Sequence, residues 1–194
     1  MESKSELRKR ILNIRNDMDI EDVRKNSNAI TEKIINLDIY IQSKVVFIYM
    51  DFKNEVMTSQ LIKHILSAKK RVVIPYTDTR NTVLIPSEIN GEDDLVMNSF
   101  GYYEPRNILP IDTGEIDLAI IPGVVFDKNL NRIGFGKGYY DRILNKLKAS
   151  AKKVALAHEF QVLESIPNEE HDIKMDMIIT EKGIFQYYLA TVIT

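Results

Sequence analysis

Lys44-Val45-Val46-Phe47-Ile48-Tyr49-Met50 is an almost unbroken apolar run, and Arg71-Val72-Val73-Ile74-Pro75 is a second. Between them, Thr58 to Lys70 places Leu61, Ile65 and Leu66 at helical spacing. Continuous apolar runs of this length suit strands buried on both faces. Two such strands joined by a helix pair in parallel through a right-handed crossover. The stretch therefore predicts a strand–helix–strand unit, its second strand stopped by Pro75, which has no N–H to give to a ladder.

The same alternation runs outward in both directions. Residues 3–17 read as an amphipathic helix with Leu7, Ile11 and Ile14 as its inward stripe. Asp19 is placed to cap a second helix through about Ile35, with Val23, Ile30 and Ile34 on one side. Towards the C-terminus, Thr82–Pro86 reads as a short strand and Asn90–Asp94 as a surface loop. Ile116–Ile121 reads as a central strand, with Lys153–Ala157 and Met177–Thr180 as later ones. No repeat, low-complexity tract or linker interrupts the pattern. The expectation is one domain over residues 1–194, a Rossmann-like three-layer α/β/α fold on a mostly parallel sheet.

The chemistry-bearing stretch is Arg132-Ile133-Gly134-Phe135-Gly136-Lys137-Gly138-Tyr139-Tyr140-Asp141. Alternate glycines let backbone N–H groups converge on an anion. Lysine and arginine add charge where phosphates sit, and an acid just beyond suits Mg²⁺. Upstream, Ile120 to Asp127 has a buried-strand pattern ending in a turn; downstream, Ile143, Leu144 and Leu147 carry helical spacing. A glycine loop between sheet and helix is where α/β proteins bind nucleotides. The loop fits neither common fingerprint. Lys137 is followed by glycine rather than Ser or Thr, and a dinucleotide motif begun at Gly134 meets Tyr139 where it needs glycine.

Acids and bases nearly cancel over the 194 residues, leaving a formal net charge of −2, which argues against general nucleic-acid binding. No apolar run approaches a membrane span, and Met1-Glu2-Ser3-Lys4 opens no apolar signal core. The absence of cysteine excludes disulfides, cysteine zinc sites and thiol nucleophiles. A cytoplasmic protein is expected, with no obligatory protein partner evident. His64, His158 and His171 form no metal spacing, and no Ser-His-Asp set is visible.

Pro122-Gly123, Phe126-Asp127, Arg132, Gly134, Gly136, Gly138-Tyr139-Tyr140-Asp141-Arg142 and Leu144 together resemble the signature of the 5-formyltetrahydrofolate cyclo-ligase family. The resemblance extends in family order to Lys4-Ser5-Glu6-Leu7-Arg8, to Tyr49 through Glu55 to Thr58, and to Glu104-Pro105. It ends with Gln161, Pro167, Asp172, Asp176, Thr180 and Glu181. One departure stands out: Leu130 occupies a place where the family usually has glycine, so Asn129 or Asn131 is expected to supply the left-handed turn residue.

The resemblance implies an enzyme that uses ATP and Mg²⁺ to convert 5-formyltetrahydrofolate to 5,10-methenyltetrahydrofolate, with release of ADP and phosphate. It implies ATP contacts at Lys4, Arg8, Arg132, Gly134, Gly136, Lys137, Gly138, Tyr139 and Tyr140. Folate contacts are implied at Arg8, Met50, Glu55, Phe135, Lys137 and Tyr139. Metal ligands are implied at Asp141 and Asp172, with Asp176 the nearest alternative, and Lys137 and Arg132 are the catalytic cations. Read without it, Lys4 and Arg8 suit a solvated helix face, Glu55 a loop acid and Asp141 a helix-terminal charge. Two other functions compete: a catalytically silent nucleotide- or phosphometabolite-binding protein on the same fold, and a sugar-phosphate isomerase, which needs no ATP.

Overall fold

Ser3 opens the first helix. Its hydroxyl accepts from the Glu6 N–H while the Glu6 carboxylate accepts from the Ser3 N–H, a reciprocal cap. In a computed structural model, which describes residues 2–170 and 172–187, this helix, α1, spans Lys4–Asn16. Asp19 caps α2 (Ile20–Ile35) as expected. A short α3 (Asp38–Ile41) leads into β1 (Val45–Ile48), α4 (Ser59–Ser67), β2 (Arg71–Asp78) and β3 (Val83–Ile89). A hairpin of β4 (Leu95–Met97) and β5 (Tyr103–Pro105) precedes β6 (Leu118–Ile121), β7 (Val125–Asp127) and β8 (Arg132–Ile133). Then follow α5 (Tyr139–Leu144), β9 (Lys152–Leu156), β10 (Val162–Leu163), β11 (Met177–Ile179) and β12 (Ile184–Gln186).

The main sheet has seven strands in the order β12-β11-β9-β6-β1-β2-β3. The five central strands are parallel; β3 and β12 pair antiparallel at the two edges. The expected strand–helix–strand unit is β1–α4–β2. Its second strand does not stop at Pro75. The β1 ladder reaches only Val73, and on the other side Pro75 lies opposite Pro86. Two facing prolines fit a non-hydrogen-bonded pair, where neither nitrogen is asked to donate. Both strands therefore run through their prolines, and β3 is longer than the Thr82–Pro86 segment expected.

One face of the sheet is covered by helices, as expected. Ile30 and Ile34 of α2 and Leu61, Ile62 and Ile65 of α4 pack on Val46, Ile48, Val72, Leu118, Ile120 and Ile179. The other face differs from the α/β/α expectation. Phe47, Val73, Ala119, Ile121, Ala155 and Ile178 meet Ile143 and Leu144 of α5, which is only six residues long. The rest of that layer is a three-stranded sheet, β10-β7-β8, with Phe126 and the Leu130 turn packed inward. The Ile120–Asp127 stretch is thus two strands. The chain leaves the main sheet at Pro122-Gly123 and enters the small one at Val125.

Helix α1 lies against this small sheet, with Leu7 and Ile11 packed among Val124, Val125, Ile133 and Ile166. Its third inward residue is Arg15, 1% exposed, while Ile14 is 44% exposed. The inward stripe therefore runs 7, 11, 15, four residues apart each time, and carries a charge where an apolar residue was expected.

The turn before β8 also departs from expectation. Leu130 itself adopts the left-handed conformation, with φ 65°, and no asparagine takes its place. Such a backbone costs a β-carbon-bearing residue about 1–2 kcal/mol. Burying a leucine side chain is worth about 1.5–3 kcal/mol, and Leu130 is fully inside the second core cluster. Asp127 holds the turn, its carboxylate accepting from the Asn129, Asn131 and Ile166 N–H groups and from Asn131 Nδ2.

Candidate active site

Residues from four segments converge in a cleft of about 360 Å³. Pro122, just past the end of β6, lines its floor, so the cleft opens at the C-terminal edge of the parallel strands, where such sheets bind ligands. Lys4 and Arg8 come from α1, Arg132 from β8, and Gly134 through Gly138 from the loop. Tyr139, Tyr140 and Asp141 come from α5, and Asp172 from the C-terminal segment. Every candidate named from the sequence lines this cleft except Met50 and Glu55.

The loop is held by two arginines. Arg8 Nε donates to the Gly134 carbonyl at 2.8 Å. Its guanidinium packs against Gly136, where an added Cβ would stand 3.4 Å from Nη2 on a backbone with φ +92°. Arg142 closes the other side. Its Nη2 donates to the Lys137 carbonyl at 2.9 Å and to the Thr82 carbonyl at 2.8 Å, and its guanidinium sits 5.6 Å from the Tyr139 ring centroid. Gly138, at φ 65°, makes the left-handed step into α5. The Lys137 side chain is exposed and makes no hydrogen bond or ion pair among the described residues.

Two of the cleft's cations are paired with its two carboxylates. Arg132 Nη2 binds Asp141 Oδ1, and Lys4 Nζ binds Asp172 Oδ2 at 2.7 Å and Glu169 Oε1 at 3.0 Å. The Arg132 side chain is only 4% exposed, and its Nε has no hydrogen-bond partner. Four lining cations against two lining carboxylates leave the cleft positive, which suits a polyphosphate. Asp141 and Asp172 supply the hard oxygen donors that Mg²⁺ takes, one or two at a time, while keeping several waters. Among the described residues no group of three or more His, Cys, Asp or Glu converges to form a tighter cage. Asp176 lies elsewhere: its carboxylate accepts from the Lys153 N–H and pairs with Lys153 Nζ at the start of β9. His171 falls outside the described residues.

Glu55 lines a narrow adjoining recess, too tight to hold a water molecule, which shares Pro122 with the cleft and is lined also by Arg15, Tyr49, Gly123 and Gln161. Its loop is rigidly built. Asp51 Oδ1 accepts from the N–H and hydroxyl of Thr58 at 2.8 Å each. Asn54 Nδ2 donates to the Arg15, Asn16 and Met18 carbonyls and so caps the end of α1. The buried His158 lies 3.1 Å through Nε2 from the Asn54 carbonyl, and burial lowers its pKa, leaving it a neutral structural link. Glu55 Oε2 accepts from the Phe52 N–H at 3.1 Å. Burial pushes its carboxyl up to about 7, against the opposing pull of Arg15. Arg15 Nη1 lies 3.6 Å from Glu55 Oε1. Met50 packs partly buried against the core and lines neither cavity. Tyr140 lines the cleft, and its hydroxyl pKa is raised by burial first and then by Glu55.

Arg15, Asn54 and Arg142 hold the site together and were given no role from the sequence. For Arg15 a signal exists, the four-residue spacing after Leu7 and Ile11; Asn54 and Arg142 act through backbone carbonyls, which leave no trace in sequence.

A profile of the 5-formyltetrahydrofolate cyclo-ligase family matches residues 1–181. A probable 5-formyltetrahydrofolate cyclo-ligase of Caenorhabditis elegans is 31% identical over 93% of both chains. A 5-formyltetrahydrofolate cyclo-ligase of Arabidopsis thaliana, named as mitochondrial, is 30% identical over 82% of this chain and 67% of its own. Among solved structures, the 5,10-methenyltetrahydrofolate synthetase of Aquifex aeolicus superposes with a TM-score of 0.84 at 33% identity, covering 94% of this chain and 92% of that one. With its glycine loop, its paired cleft and these relatives, the chain belongs to the 5-formyltetrahydrofolate cyclo-ligase family.

Proposed function

We infer that the chain closes 5-formyltetrahydrofolate to 5,10-methenyltetrahydrofolate at the expense of ATP, with the nucleotide in the glycine-loop cleft and the pterin beside Glu55. As a member of its family it is a cyclo-ligase, an enzyme of one-carbon metabolism that uses ATP. The observation that carries the site assignment is the junction of two compartments. A positive cleft suited to a triphosphate shares Pro122 with a recess holding one buried carboxylate.

A formamide oxygen is a poor leaving group. In the proposed route that oxygen attacks the γ-phosphorus and ADP departs, giving an activated imidate-like phosphate. N10 of the folate then bonds to the formyl carbon, the C–O bond breaks, phosphate leaves and the N10 proton is lost. The protein needs no nucleophile; it positions the groups and stabilises moving charge. Lys137 and Arg132 offset charge on the transferring phosphoryl group, and Lys4 and Arg8 bind the nucleotide. Arg8, Phe135 and Tyr139 face the side on which folate and nucleotide meet. Glu55 accepts from the N–H-rich edge of the pterin, and Met50, which lines neither cavity, has no part in it. Mg²⁺, when bound, neutralises phosphate charge, and Asp141 and Asp172 are the residues to hold it.

Absorbance of the conjugated methenyl product, followed with and without ATP, tests the activity. Product that forms without ATP, or none with ATP, ends this reading; no product under either condition leaves the silent binding protein and the sugar-phosphate isomerase. No described helix is long and apolar enough to cross a membrane. The cytoplasmic location expected from composition is part of the proposal, and fractionation tests it.

A further inference from the structure

Arg15 is the most costly residue in the molecule to explain by packing alone. It is 1% exposed, its Nη1 reaches the Gly123 carbonyl at a long 3.3 Å, and its Nε has no hydrogen-bond partner. A buried ion pair whose groups are so poorly satisfied can be replaced whole by apolar side chains with no loss of stability, whereas removing one member strands the other charge. Fold alone therefore gives no reason for an arginine at this place on the stripe of α1. Its nearest charge is Glu55, at 3.6 Å, too far for a hydrogen bond but close enough for strong attraction away from water. The guanidinium also lies 5.6 Å from the centroid of the Phe135 ring, which lines the nucleotide cleft.

We propose that Arg15 is a positioning residue for the folate half of the reaction, keeping Glu55 ionised so that the recess accepts hydrogen bonds from the pterin's N–H edge. This rests on the reading that Glu55 meets the pterin. A protonated Glu55 presents a donor to donors and loses an acceptor face, so folate recognition fails when the proton stays on. The other groups facing Glu55 do not supply the needed charge. Asp51 on its own loop works against ionisation. Tyr49 just after β1 donates its hydroxyl to the Val56 carbonyl, Tyr140 on α5 is held neutral by burial, and so is His158 after β9. Among the described residues facing Glu55, Arg15 is the cation.

The test is calorimetric titration of the whole chain with 5-formyltetrahydrofolate and, separately, with ATP, from pH 6 to 9. The wild type should lose folate affinity as pH falls through about 7. Arg15→Met should still fold, with a melting temperature that falls more at pH 8 than at pH 6 because ionised Glu55 has lost its partner, and should move that loss of affinity to higher pH by one unit or more, about tenfold weaker binding at neutral pH. Affinity should recover near pH 9, with ATP affinity unchanged, and Arg15→Lys should restore part of the shift. A folded Arg15→Met with the wild-type folate profile overturns the inference; so does a variant that cannot fold, since that assigns Arg15 to structure. Glu55→Gln separates the underlying reading: if it binds folate as the wild type does, Glu55 is not at the pterin, whatever Arg15 shows.

Discussion

Leu130 holds a left-handed backbone because its side chain has somewhere apolar to go. Leu130→Gly should relieve the strain and still destabilise the fold, by about 1–3 kcal/mol, because the lost burial and cavity outweigh the gain. Thermal denaturation checks the sign; a variant more stable than the wild type removes the burial argument. The departure of Leu130 from the family pattern was legible in sequence. Its resolution was not, because a short motif shows which residues prefer φ > 0 and not which side chain the core rewards. Glu55 gives a second prediction at this scale. Its folded pKa lies above the ordinary value, so the folded chain holds the proton more tightly than the unfolded one. The stability contributed by Glu55 is then fully present below about pH 4.5 and is lost as pH rises to about 7. The loss is on the order of 3 kcal/mol. Glu55→Gln should flatten this window and be the more stable protein at pH 8, as chemical denaturation at pH 5 and 8 will show.

At the scale of elements, the loop between β8 and α5 is held by Arg8 and Arg142, and the proposed function gives that loop the phosphate chemistry. Lys137→Ala should therefore leave the melting temperature in place and lower catalytic efficiency on the order of 10²-fold; near-normal turnover takes Lys137 away from the phosphate. Asp141 on α5 and Asp172 on the C-terminal segment line one cleft. Asn at either position should raise the Mg²⁺ needed for half-maximal activity, and the double variant should lose less than the sum of the two. Strict additivity makes them members of separate sites. The glycine loop was legible because its residue types are rare in combination, whereas Asp172 joined it only through the family resemblance. The strand limits at Pro75 and Pro86 were not, because a proline's cost depends on its partner across the ladder, which is a tertiary fact.

Across the whole molecule, the parallel core was legible from its continuous apolar runs, and the mixed layer over its second face was not. Short strands such as β8 and β10 are made by what they pack on, and they carry too few residues to show a period. That mixed layer is the bed on which α1 lies, its apolar contact made by Leu7 and Ile11 and the rest of its fastening by the polar contacts of Lys4, Arg8 and Arg15. The same helix sends Lys4 and Arg8 to one compartment and Arg15 to the other. Both substrates therefore draw on a single docking equilibrium, and thermodynamic reciprocity requires that each tighten the other by the same factor. Titration of folate with and without a non-hydrolysable ATP analogue, and the converse, should return equal ratios above one. Amide exchange along residues 4–16 should slow with either ligand and slow most with both, making the first helix the element through which each half of the reaction senses the other.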